Sequence, residues 1–292
     1  MKEAQAYCQE EYVDYSLYSA LATRERQSER SKVLRDMAEM ERRHYSFWSR
    51  YAGGYEPHLS RWQLIGVLLL RRLFGLVFTM KFLERHERRV IESYRRFAQA
   101  LEGQEREELE GIIREEEEHE RYFMSQVDEG AVRYLSFVIL GLADAIVEIT
   151  GVHAGFLGVT SSTLIAGIAG LIVGFSAAVA MASAAYLQAR QQKGISPQSS
   201  AGATGISYLG AAVAMALPYF LTHDMLLAFS ASVTVAIALV AFFTFYGNVL
   251  ADRPFAREFL ISVGLTLGTA FGSFLFGDVL GTAFGLRGII PS

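Results

Sequence analysis

Two glutamate–histidine pairs are the residues of this chain best suited to chemistry. In the stretch REEEEHERYF, Glu116 and His119 stand three residues apart, and Glu41 and His44 repeat that spacing earlier in the chain. Residues three apart lie on one face of a helix, so each pair can present a carboxylate and an imidazole to one point. Iron and manganese accept these ligands, and each pair therefore predicts part of a metal site.

Both pairs lie on the apolar stripe of a predicted helix, because apolar residues recur around them at steps of three and four. Glu115, Glu117, Glu118 and Glu120 lie off this stripe and are expected to form a solvated face. The two stripes are Leu34, Met37, Glu41, His44 and Trp48 in one helix and Leu109, Ile112, Glu116, His119 and Phe123 in the other.

Two further predicted helices carry a glutamate followed by a tyrosine at the seventh position, Glu11 with Tyr18 and Glu87 with Tyr94. The two motifs alternate along the chain, which makes residues 1–132 an internal repeat of two helical hairpins. Buried carboxylates are costly unless they are paired or bound to metal. Four inward glutamates and two inward histidines at one level of a helical bundle therefore predict a dinuclear metal site.

These motifs resemble those of the ferritin-like superfamily, and rubrerythrin most closely. The resemblance implies an all-α, four-helix bundle with a di-iron carboxylate site and Tyr18 and Tyr94 around it or in the core. Rubrerythrins use an additional glutamate in the third helix, where Glu84 stands; a surface position for Glu84 is the alternative. The implied ligands are Glu11, Glu41, His44, Glu87, Glu116 and His119.

Charge divides the chain at about residue 132. Residues 1–132 carry 25 of the 31 Asp and Glu and 21 of the 27 Lys and Arg, whereas residues 133–292 are largely apolar. Since about 20 apolar residues span a bilayer, residues 133–292 predict a membrane domain. Five candidate segments are present, at 134–158, 163–189, 205–222, 225–248 and 258–284.

Loop charges give the expected orientation, because short loops rich in Lys and Arg stay in the cytoplasm. Arg190 and Lys193 follow the second segment, and Arg253 and Arg257 follow the fourth. Residues 1–132 are therefore expected in the cytoplasm. The first residues of this range have no apolar stretch typical of a cleavable signal peptide, and none is expected. The stretch at 62–80 is apolar but interrupted by arginines, which favours an interfacial or inter-subunit helix over a membrane span.

The first membrane segment contains Asp144 and Glu148, four residues apart and hence on one helix face. Carboxylates at membrane depth mark an ion or proton path by default. His153 is either a ligand on the far side or an interfacial residue. In the small-residue-rich second segment, Met181 is either a soft cation ligand or packing.

The stretches GLADAIVEITGVHAG and AVAMASAAY resemble the vacuolar iron transporter family. That resemblance implies five membrane helices, a homodimer, and exchange of divalent iron or manganese for protons, with Asp144 and Met181 on the path. Two features depart from the family: Ala185 replaces a glutamate after the methionine, and a Glu-rich insertion is missing between segments two and three. With its ferritin-like part, the chain resembles the membrane-bound ferritin, or erythrin, subgroup.

The leading expectation is therefore a proton-coupled exporter of Fe²⁺, with Mn²⁺ as a second candidate cation. A membrane-tethered di-iron oxidase or peroxidase is the first alternative, and a metal-free dimerisation module is the second. No basic tract interleaved with aromatic residues is present, so nucleic acid is not an expected partner.

Overall fold

The computed structural model describes residues 2–126, 134–251 and 254–285, except for the side chains of 86–89, 119–126 and 251. Within these ranges the chain is helical and has no strands, which confirms the all-α class. It divides into two compact units, Met1–Glu129 and Gly130–Ser292, called here the first and second unit. The ferritin-like assignment of the first unit stays a prediction.

The first unit contains two helical hairpins. Helix α1 (Lys2–Arg24) packs on α2 (Ser28–Tyr51), α5 (Glu87–Ala98) packs on α6 (Gly103–Gln126), and α2 also contacts α6. The connections within the hairpins are short, which makes the paired helices antiparallel neighbours. The contact of α2 with α6 thus places the second helix of one hairpin against the second helix of the other.

Between the hairpins, the chain forms α3 (Arg61–Phe74), α4 (Leu76–Leu83) and a 3₁₀ turn at Glu84–His86. Gly75 joins α3 to α4 with a φ of 87°, a conformation that favours glycine. The 3₁₀ turn interrupts the helical run between Met80 and Phe97, so α4 and α5 are separate helices. Short 3₁₀ segments inside helical runs often mark functional or strained positions.

Helix α3 leaves one apolar face uncovered within the described chain. Ser60 caps its start, accepting a hydrogen bond from the Trp62 backbone N–H while its own N–H donates to the Gln63 side chain. Val67 is buried, whereas Trp62, Ile65 and Leu73 are exposed. The expected interfacial or inter-subunit contact of this segment stays a prediction.

An aromatic core holds the first hairpin against α5. The Trp48 ring centroid lies 4.6 Å from that of Tyr7, 4.7 Å from that of Tyr94 and 5.0 Å from that of Phe97. Trp48 and Tyr94 are fully buried. Offset and edge-on aromatic contacts of this kind add stability beyond the area they bury, and they fix α2 and α5 beside the predicted ligands.

Among the described residues of the second unit, five helices are long and apolar enough to cross a membrane, which indicates an integral membrane protein. The third begins earlier than the expected residue 205, because Ser196 caps it and Pro197 occupies its first turn. Pro218 divides it near its end. The helices are α7 (Leu135–Val159), α8 (Thr163–Ala189), α9 (Pro197–Ala216), α10 (Pro218–Leu221), α11 (Met225–Ala251) and α12 (Phe255–Ala283).

Helix α7 is the central helix of the second unit and contacts α8, α9, α11 and α12. Glycines allow its backbone to approach its neighbours closely. A Cβ added at Gly158 would lie 2.7 Å from the backbone nitrogen of Asp278, and one at Gly277 would collide with the carbonyl oxygen of Gly155. Small residues at helix contacts are the usual means of close packing in membranes.

Candidate functional site

Four of the predicted metal ligands converge in the first unit. Glu11 of α1, Glu41 and His44 of α2, and Glu116 of α6 each offer a ligand atom, and these atoms lie within 4.8 Å of one another. All four side chains are buried, with at most 6% of their surface exposed. We call these four residues the Glu/His cluster.

His44 lies at the centre of the Glu/His cluster. Its Nδ1 is 2.9 Å from Glu116 Oε1, 3.4 Å from Glu41 Oε2 and 3.5 Å from Glu11 Oε2. Burial would lower the pKa of His44, but its contacts with these carboxylates and with Glu115 raise it well above the usual value. A protonated His44 is therefore a counter-ion for the carboxylates, and a metal cation would have to displace its proton.

Glu115 holds the other side of the His44 ring. Its Oε2 is 2.9 Å from His44 Nε2 and 3.1 Å from an Arg43 guanidinium nitrogen. The hydrogen bond to His44 and the charge of Arg43 lower the pKa of Glu115, although partial burial opposes this. The assignment of Glu115 to a purely solvated face is therefore wrong. A carboxylate in this position sets the tautomer and orientation of a metal-binding histidine.

Tyr94 supports the Glu/His cluster from α5. Its hydroxyl donates a hydrogen bond to Glu11 Oε1, and its side chain is fully buried. Burial, reinforced by the charges of Glu11 and Glu116, raises the pKa of Tyr94 well above its usual value. The hydroxyl therefore stays a hydrogen-bond donor and fixes the Glu11 carboxylate. Tyr18, the other tyrosine of the repeated motif, is also buried.

A small cavity of about 20 Å³ lies beside the Glu/His cluster. Such a volume accommodates about one water molecule or ion. Burial, reinforced by the charge of Glu116, raises the pKa of Glu41, and burial, reinforced by the charge of Glu11, raises the pKa of Asp14. An excess of buried carboxylates beside an ion-sized space fits a bound cation. The cavity is lined by Glu10, Glu11, Asp14, Glu41, Val90, Tyr94 and Glu116.

The remaining three predicted ligands are Glu84, Glu87 and His119. Glu84 is buried, so the alternative of a surface glutamate is wrong, but it is not among the four side chains that converge. It lies near enough to Asp14 to contribute to the raised pKa of that carboxyl. The side chains of Glu87 and His119 lie outside the described residues, and their roles as ligands stay predictions.

A groove of about 600 Å³ adjoins the small cavity. Glu10 and Asp14 line both spaces. The rest of the groove is mostly apolar. Its lining consists of Gln9, Glu10, Val13, Asp14 and Leu17 of α1, Trp62, Gln63, Gly66, Val67 and Leu70 of α3, and Phe82 and Leu83 of α4.

The second unit presents the predicted carboxylate pair on α7. Asp144 is exposed on the surface of the described chain, and Glu148, one turn further on, is half-buried. The hydroxyl of Tyr208, a buried residue of α9, donates a hydrogen bond to Glu148 Oε2. Sequence reasoning missed Tyr208; the available signal was a tyrosine inside an otherwise small and apolar membrane helix.

Met181 is half-buried and packs against the core that contains Tyr208 and Ala145. Ala185, where the resembled family has a glutamate, is fully buried and packs with Phe137. His153 is also fully buried among the described helices, and its place on the far side or at the interface stays a prediction. The neighbour that the structure places beside Glu148 is therefore Tyr208 of α9, and α8 supplies no carboxylate there.

Comparison of the chain with models of protein families, with curated proteins and with solved structures gives no match. The assignment of function therefore depends on the geometry of the two sites.

Proposed function

We propose that this protein carries divalent iron, with manganese as a second cargo, across a membrane in exchange for protons. The observation that carries the proposal is the position of Asp144. An aspartate facing lipid at the middle of a membrane costs about 3 kcal/mol. Because Asp144 is exposed in a helix long enough to span a membrane, its face of α7 is expected to contact water or a second subunit.

A homodimer across this face would satisfy that requirement. An isologous contact would place two Asp144 carboxylates around one path, and Glu148 would follow one turn along it. Tyr208 holds Glu148 by a hydrogen bond, whereas Asp144 is free to approach a cation from the surface of α7. A proton on either carboxylate weakens its attraction for the cation, so cation binding on this path depends on pH. Met181 is the candidate soft ligand.

In this proposal the first unit binds the same metals at the Glu/His cluster. The chemistry supplied by a bound iron pair would be redox, whereas the chain itself supplies carboxylate and imidazole ligands. Glu11, Glu41, His44 and Glu116 would hold the metal, Tyr94 would orient Glu11, and Glu115 would orient His44. The Lys and Arg of the short membrane loops favour a cytoplasmic position for this unit.

One observation favours a second candidate function, a membrane-tethered di-metal oxidase or peroxidase. The groove beside α3 has the volume and mostly apolar lining of small-molecule sites, and it shares Glu10 and Asp14 with the cavity of the Glu/His cluster. An apolar substrate in this groove would lie next to the metal. Metal-dependent consumption of oxygen or peroxide, without cation flux, would favour this function over transport.

The test is cation flux in proteoliposomes under an imposed pH gradient, measured with Fe²⁺ and with Mn²⁺. The wild type should accumulate the cation in response to the gradient, and Asp144→Asn should abolish the flux. Asp224→Asn is the matched control, because Asp224 is an exposed residue that caps α11 and asparagine caps helices equally well. Equal flux with Asp144→Asn and the wild type, or no flux with the wild type, would exclude the proposal.

A further inference from the structure

His153 lies on the side of α7 opposite to the carboxylate pair. It follows Asp144 by nine residues, which at 3.6 residues per turn corresponds to about half a turn of net rotation and roughly 13 Å of rise. Asp144 is exposed, whereas His153 has none of its surface exposed. The two side chains therefore belong to different environments of the same helix.

Three helices enclose the His153 ring. Its Nδ1 lies 3.2 Å from Ser232 Oγ of α11, and its ring centroid lies 4.2 Å from that of Tyr219 of α10. Its Nε2 lies against Gly170 of α8, where an added Cβ would collide with it. Ser232 and Tyr219 are each only 1% exposed. The absence of a side chain at Gly170 thus creates the space that Nε2 occupies.

Several polar atoms around His153 have no hydrogen-bond partner in the part of the chain that the structure describes. They are His153 Nε2, the Tyr219 hydroxyl and, one turn earlier on α7, the Thr150 hydroxyl. Buried polar groups are nearly always hydrogen-bonded, so each such group requires an explanation. A histidine inside a membrane domain is expensive, and packing alone would be served by an apolar residue.

The surroundings of His153 do not suit a metal ion. Among the described residues, the Glu/His cluster is the group of metal-ligating side chains that converges, and it lies in the first unit. No charged side chain of the described chain acts on the His153 ring, and Tyr219 is the titratable group packed against it. From α12, the backbone nitrogen of Asp278 lies against Gly158 of α7, five residues beyond His153.

We propose that His153 is the proton-carrying residue of the exchange, so that protons and cations travel on opposite sides of α7. This inference rests on the proposed transport function. With Nδ1 donating to Ser232, the lone pair of Nε2 accepts a proton, an N–H bond forms, and the same bond breaks when the proton leaves. The candidate groups for passing on that proton are the unpartnered hydroxyls of Tyr219, whose ring packs against His153, and of Thr150, one turn earlier on α7.

The test measures two fluxes in the same proteoliposomes, with one dye inside for the divalent cation and one for pH. In the wild type, Mn²⁺ movement should be accompanied by proton movement in the opposite direction. With His153→Gln, Mn²⁺ should still move down its own gradient, but its response to a pH gradient and the proton signal should each fall at least about tenfold. His223→Gln is the control, because His223 is an exposed histidine of the α10–α11 loop.

The outcomes are separable. If the wild type moves no cation, the proposed function fails, and this inference fails with it. If wild type and His153→Gln show the same coupled flux, only this inference is overturned. In a third outcome, His153→Gln still elutes as a single species but no longer allows downhill Mn²⁺ movement. That result would assign His153 to the cation route and would also overturn this inference.

Ser232→Ala provides a second variant in case His153→Gln does not fold. It removes the hydrogen bond to Nδ1 and leaves the ring in place. We expect the pH of half-maximal coupled flux to shift by at least about half a unit, while downhill Mn²⁺ movement is unchanged. An unshifted pH profile in a folded Ser232→Ala protein would overturn the assignment of the proton to His153.

Discussion

The two acidic regions of this chain place their carboxylates in different surroundings. In the first unit, Glu11, Glu41 and Glu116 surround His44 in a closed, buried space. In the second unit, Asp144 and Glu148 lie on one helix, and Asp144 faces outward. A closed set of ligands from three helices suits retention of a cation, because the ligands are already in position. An open pair needs water or another subunit, and therefore suits passage.

The largest expected effect separates tight metal binding by the first unit from cation transport through the second unit. Glu41→Gln should remove the tightly bound metal of the purified full-length protein but leave proteoliposome flux within about twofold, since excess metal is supplied there. Asp144→Asn should do the opposite. Elemental analysis after gel filtration and the flux assay measure the two properties. Glu39→Gln is the control on α2, because Glu39 is exposed and pairs with Arg42. If either variant removes both properties, the two regions are not separate in function.

The next effect concerns the partner of His44. Glu115→Gln should weaken metal binding by about 10–100-fold, because such partners of ligating histidines contribute about that much to affinity. Competition with a metal-sensitive dye measures the change. Glu117→Gln is the matched control, since Glu117 lies on the same helix and pairs with Arg95 at the surface. Equal affinities for the two variants would mean that Glu115 does not position His44.

The packing of the two units offers a further contrast, because the second unit depends on close approaches of backbone. Gly277→Ala should lower the stability of the second unit by about 1–3 kcal/mol, since the new Cβ collides with the Gly155 carbonyl oxygen. The midpoint of thermal unfolding in detergent measures the effect. Gly268→Ala on the same helix has nothing within 4 Å of the added Cβ and should be neutral. A neutral Gly277→Ala would show that α7 and α12 can separate freely.

The smallest expected effect concerns a polar contact of the first unit. Arg71 lies 2.6 Å from Glu25, and hydrogen bonds from Gln27 and Arg71 lower the pKa of Glu25 despite its partial burial. Glu25→Gln should therefore reduce the unfolding free energy by about 1 kcal/mol at neutral pH.

The pH dependence of this difference follows from the lowered pKa. The stabilisation is complete above the ordinary value of 4.5 and is lost as the pH falls through the lower value of the folded state. Denaturant titrations at pH 7 and at acidic pH measure it, with Glu29→Gln at an exposed position as the control. A difference that grows toward acidic pH would contradict the assignment.

Periodicity predicted much of this architecture, because local patterns determine it. The steps of three and four placed Glu41, His44 and Glu116 on inward faces, and the apolar runs located five membrane-length helices. The start of α9 was placed too late, because PQSSAGATG reads as a loop by composition although Ser196 and Pro197 are helix-start signals. Element boundaries depend on such capping contacts more than on hydropathy.

Contacts between distant residues could not be predicted in the same way. Glu115 lies off the apolar stripe yet reaches His44, and Tyr208 reaches Glu148 across 60 positions of sequence. The 3₁₀ turn at Glu84–His86 contains neither glycine nor proline, so no local signal announces it. The exposure of Asp144 is likewise a property of the assembled helices, and periodicity on α7 alone does not give it.

The two tryptophans of the chain lie in opposite surroundings, so their fluorescence can report on two different places in the first unit. Trp48 is fully buried and touches Tyr94, whose hydroxyl holds Glu11, whereas Trp62 is 80% exposed on α3. Their intrinsic fluorescence should therefore contain a blue-shifted component from Trp48 and a red-shifted one from Trp62. An open-shell metal at the Glu/His cluster would quench the blue component, and a partner covering α3 would shift the red one. Binding at either place can thus be followed in the unlabelled protein, with Trp62→Phe isolating the buried emitter.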